Sequence, residues 1–103
     1  MHERDASANM GAMAVGRAGR RAERESRVID LFGAENTPAA LDLLELLEFG
    51  WHDCYGEVTP PDGVIHDVLV CSQGRLDGLI KATRLAVEDW RDLRLWADDV
   101  RRA

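Results

Sequence analysis

An apolar stripe near the carboxyl end limits this chain more than any other feature. Leu76, Leu79, Thr83, Ala86, Trp90, Leu93, Ala97 and Val100 recur at alternating intervals of three and four residues, and Ile80 and Val87 widen the stripe. That spacing keeps one side of an α-helix facing the same way for about seven turns. A helix with such a face has to bury it. The pattern therefore predicts an all-α fold in which a long C-terminal amphipathic helix, about 75–102, is covered by shorter ones.

The covering helices announce themselves by their start signals. Thr37-Pro38 reads as an N-cap followed by a proline at the first helical position, where its missing N–H costs nothing. The helix runs over about 37–55, with Ala40, Leu44, Leu47, Trp51 and Cys54 inward and Asp42, Glu45, Glu48 and Asp53 outward. Gly50 predicts a kink in it, and Gly56 a C-terminal cap. Thr59-Pro60-Pro61-Asp62 repeats the start signal before a helix over about 60–71, which presents Val64, Ile65, Val68, Leu69 and Cys71. Its β-branched residues argue for a strand, but strict alternation and a partner strand are both missing, so helix is preferred. Ser72 then caps the third helix.

The organisation that follows is a small three-helix bundle over 37–103. Residues 1–20, rich in Ala, Gly, Ser and Met without apolar period, read as a disordered tail. Residues 21–36 read as a short helix and linker, with Val28, Ile29, Leu31 and Phe32 docking on the body and Gly33 ending the helix. At 103 residues the chain has room for one small core, and oligomerisation is the easiest source of added stability.

The net charge of -6 is unevenly spread. Residues 1–27 carry six Arg against four acids, whereas residues 28–103 carry seven basic groups against fifteen acids. An acidic body repels nucleic acid and anionic lipid and suits a basic protein partner. No apolar run is long enough to cross a bilayer, and the mixed-charge start, Met1-His2-Glu3-Arg4-Asp5, does not resemble a secretory signal. The expectation is a cytoplasmic protein without membrane contact, with Cys54 and Cys71 reduced and buried.

The residues that could carry function sit mostly off the main stripe. Leu85 and Trp96 fall within about 20° of each other on the far side of the third helix, with Leu95 nearby. Phe49 is placed likewise on the acidic side of the first. These residues, with Asp89, Asp92 and Asp99 steering a basic partner, predict a surface for protein binding: a homodimer seam or an adaptor, regulator or inhibitor face. No catalytic residue, metal or cofactor is assigned.

Two other classes compete. His52, Cys54, His66 and Cys71 could serve a metal protein or a small enzyme, but His-x-Cys and His-x4-Cys on helices fit zinc spacing poorly. Within Trp51-His52-Asp53-Cys54-Tyr55-Gly56-Glu57, neighbours diverge by about 100° each and cannot converge on one substrate, so Trp51, Cys54 and Tyr55 read as core and His52, Asp53 and Glu57 as surface. Arg17, Arg20, Arg21, Arg24 and Arg27 would line one face of a helix, as a nucleic-acid regulator needs, but Glu23 and Glu25 interrupt them and no aromatic residue accompanies them. Neither a phosphate-cradling glycine loop nor a nucleophile elbow occurs.

Overall fold

The computed structural model describes the backbone of residues 2–103 and the side chains of residues 16–103. The fold is all-α: α1 (His2–Tyr55), α2 (Asp62–Ser72) and α3 (Leu76–Arg102). Over 2–15, most of the tail expected at 1–20, the backbone alone is described; residues 16–20 are helical with their side chains described.

Two single-residue breaks turn these three helices into five packed segments. The first is Gly33, at φ 81° and ψ 161°, a conformation that a side chain disfavours. It folds residues 34–55 back along residues 16–32, so that Arg21 meets Asp42 at 3.1 Å and Glu45 at 3.0 Å. The helix therefore resumes before Thr37, whose hydroxyl donates to the Gly33 carbonyl (2.7 Å) instead of capping. The second break is Asp89, whose backbone is extended while its Oδ1 accepts from the N–H groups of Arg91 (3.0 Å) and Asp92 (3.4 Å). These are the second and third residues of a new helix, so Asp89 is its N-cap.

The Asp89 break corrects the expectation of one straight C-terminal rod. Lys81 and Trp96 line a single cavity of about 190 Å³, whereas a straight helix would hold them about 22 Å apart. Segment 90–102 instead turns back over α2. The stripe still describes the buried side, with Leu79, Ala86, Leu93 and Ala97 in the core beside Ala82. Trp90, the residue next to the break, leaves it and is 38% exposed.

Gly50 does not kink α1, where Gly33 alone departs from helical geometry. It allows close approach instead: a Cβ there would lie 3.2 Å from Val87 Cγ2 of α3. α2 is helical and not a strand. Its N-cap is Pro61, and the turn after it uses Gln73 and Gly74, both at positive φ. Ser72 serves this turn, accepting from the Gly74 N–H (3.2 Å), and does not cap α3. The apolar core joins Val28 and Phe32 to Leu44, Leu47, Trp51, Ile65, Val68, Leu79 and Leu93. Ile29 and Leu31 stay exposed.

Two buried carboxylates fasten the returning segments. Glu48, expected on the outer side, is 5% exposed. It accepts from Arg20 Nε (2.7 Å), Arg24 Nη1 (2.9 Å) and Thr59 Oγ1 (2.8 Å), and Arg24 Nη2 in turn donates to Thr59 Oγ1 (3.2 Å). Burial pushes the Glu48 carboxyl upward, but the hydrogen bonds from Arg20, Thr59 and Arg24 outweigh it and hold the group below its ordinary value. On α2, the buried Asp67 accepts from Arg94 Nε (2.9 Å) and Arg101 Nη2 (2.8 Å), both on segment 90–102. Arg101 also donates to Asp98 (3.1 Å).

Candidate functional site

The residues expected to form a binding face do not come together as one patch. Leu85 and Trp96 are half-buried and pack against the core. Leu95 remains 63% exposed. Asp89 spends its carboxylate on the helix cap, and Asp99 pairs with Arg102. Asp92 is exposed. Phe49 is exposed on α1 beneath the Arg17 guanidinium, 4.9 Å from the ring centre. It belongs to a different surface, a 370 Å³ depression shared with His52 and Val58.

The metal or enzyme candidates are separated as well. His52 lies in that depression, while His66 lines a cavity between α2 and the first limb of α1 with Arg27 and Leu31. Cys71 is buried, and desolvation, with Asp67 adding to it, pushes its thiol up to about 12. A neutral thiol is a poor nucleophile and a poor metal ligand. Cys54 is exposed, contrary to expectation. Among the described residues, no three His, Cys, Asp or Glu side chains gather as a metal would require.

The arginine series forms one helical face, but that face is turned inward. Arg20 and Arg24 reach Glu48, Arg21 reaches Asp42 and Glu45, and Arg17 covers Phe49. The acids of the second limb thus occupy Arg20, Arg21 and Arg24, three of the five. No helix among the described residues is long and apolar enough to cross a membrane.

Two surface features remain, and neither was expected from the sequence. One is a seam between α1 and α3. Gly50 meets the Val87 side chain in it, and the Tyr55 hydroxyl crosses it to donate to the Val87 carbonyl (3.0 Å). In a continuous helix that carbonyl would accept from the Arg91 N–H, which Asp89 draws away. Leu46 lies one turn before Gly50 and is 63% exposed; Ile80 lies two turns before Val87 and is 51% exposed. The other feature is a cavity of about 280 Å³ at the break, lined by Trp51, Tyr55, Glu57, Val64, Trp90 and Arg94 among others. The Trp51 and Tyr55 rings meet at 4.3 Å, tilted by 44°, and Trp51 Nε1 donates to Glu57 Oε1 (2.9 Å). Gly56, at φ 75°, turns the chain out of α1 and so sets Glu57 back against Trp51.

Compared with known protein families, curated proteins and solved structures, the chain matches none.

Proposed function

We propose that this chain is a small acidic helical module that works by protein–protein contact and associates first with itself. The observation that supports the reading is the exposed apolar seam: Leu46 and Ile80 stay in water although both backbone breaks have already folded the chain onto itself. Side chains of that size beside a helix–helix groove suit a second helical surface. Leu95, on segment 90–102, is a further exposed apolar side chain. The acidic body, with Asp92 exposed, supports a second reading in which a basic protein is the partner. Both place the protein in the cytoplasm, with no catalytic residue and no cofactor.

Sedimentation of the purified chain over a range of concentrations tests the first reading. Wild type is expected to self-associate, and Leu46→Glu combined with Ile80→Glu to sediment as a monomer with its helix content kept. A wild type that stays monomeric throughout removes self-association.

A further inference from the structure

We infer that the aromatic cavity at the Asp89 break is a binding site for a methylated ammonium group. Three of the six aromatic side chains of this chain line it: Trp51, Tyr55 and Trp90. They come from the end of α1 and from the first residue after the break. Trp90 is on the apolar stripe by sequence, and the break takes it out of the core and stands it at the cavity.

The polar edges of two of these rings are already used. The Trp51 N–H is bound to Glu57 and the Tyr55 hydroxyl to the Val87 carbonyl. What the cavity offers a ligand is therefore the exposed ring surface of Tyr55 and Trp90 beside the buried Trp51, which attracts diffuse cations, and the second carboxylate oxygen of Glu57. Arg91 lies over the Trp90 ring at 5.5 Å and does not line the cavity, so Trp90 already serves one cation from outside.

The lining carries one acid, Glu57, and one base, Arg94. The Arg94 guanidinium is held by the buried Asp67 (2.9 Å), which Arg101 also reaches (2.8 Å) while pairing with Asp98 (3.1 Å). Among the described residues Glu57 has no cationic partner, and the whole chain carries -6. A hydrated ammonium loses water on entering such a space. A methylated one has little to lose, and it presents methyl groups to the rings while keeping its charge near Glu57. The volume of about 280 Å³ admits that headgroup and the start of a tether.

The same headgroup occurs on free small molecules and on methylated lysine side chains, and one titration separates them. The indole N–H signals of Trp51, Trp90 and Trp96 are followed by NMR, with Trp96 outside the cavity as internal reference. Choline and a trimethyl-lysine peptide are added separately, with 3,3-dimethyl-1-butanol and the unmethylated peptide as matched controls. Saturable shifts confined to Trp51 and Trp90 are expected with at least one methylated cation and not with its control. Tighter binding of the peptide identifies a protein side chain as the source; tighter binding of choline identifies a free molecule. Glu57→Gln, at an exposed position, is expected to weaken the cation at least about threefold, and Trp90→Leu about tenfold. Equal shifts with the neutral alcohol, or none that saturate, overturn the site. Either result leaves the sedimentation test of self-association untouched.

Discussion

Gly74 has two separate reasons to be glycine. Its φ is +76°, and a Cβ there would lie 2.5 Å from the Leu31 carbonyl oxygen, a backbone atom that cannot swing aside. Gly33 has the first reason without the second, since φ is +81° and nothing lies within 4 Å of its absent Cβ. Gly74→Ala is therefore expected to destabilise by about 2–4 kcal/mol and Gly33→Ala by about 1–2 kcal/mol. Urea unfolding checks the order, and a larger loss at Gly33 would contradict it. Glu48 carries a pH signature. Its carboxyl is held below the ordinary value when folded, so the unfolded chain binds the extra proton as acid is added. The stabilisation is complete above the ordinary carboxylate range and is lost as pH falls through the depressed folded value. Glu48→Gln leaves Arg24 buried beside a neutral partner and is expected to cost about 3 kcal/mol at neutral pH. The cost should shrink on acidification, as denaturation curves of both proteins at neutral and acidic pH would show.

At the scale of elements, the helices and the break at Gly33 were legible, and the break at Asp89 was not. The ends of α1 and α2 fall within a residue or two of the expected ones, because Gly56, the Pro60-Pro61 pair and Gln73-Gly74 act locally. Asp89 is different. Its neighbours continue the stripe, and a mid-helix aspartate looks like a solvent-facing residue until its carboxylate is seen to accept from Arg91 and Asp92. Even so, Asp89-Trp90-Arg91-Asp92 is a sound cap sequence, and reading it as one would have drawn Trp90 out of the core. The arginine face over 17–27 was visible too; what hid its role was the treatment of Asp42, Glu45 and Glu48 as a separate solvent face. Their shared helical spacing is complementary, and Gly33 supplies the turn that brings them together. The cavity of Trp51, Tyr55 and Trp90 was illegible because it exists only after the second break. Asp89→Ala is expected to cost about 1 kcal/mol, with Asp89→Asn retaining most of the stability. Tyr55→Phe should cost about 1 kcal/mol, since the Val87 carbonyl beside the break has lost its helical donor. Urea unfolding of the variants checks both values, and a Tyr55→Phe chain as stable as wild type would mean that the hydroxyl bond contributes nothing.

For the whole molecule, charge and apolar surface pull self-association in opposite directions, and that conflict makes the two partner readings separable. Each chain carries -6, so two copies repel while Leu46, Ile80 and Leu95 gain by leaving water. Mass action ties the stability of a dimer to concentration, and for a domain of this length each tenfold rise should lift the melting midpoint by about 3 °C. Added salt screens the repulsion and leaves the apolar gain intact, so it should raise that midpoint further. A basic partner held by Asp92 and its neighbours would answer salt with the opposite sign, binding more weakly as screening increases. Melting curves across concentration and salt therefore report on both readings. In the Leu46→Glu, Ile80→Glu chain the concentration dependence should vanish, because both positions are exposed and outside the core, which the added charges leave unchanged. A wild-type midpoint that ignores concentration would assign the exposed seam to another partner.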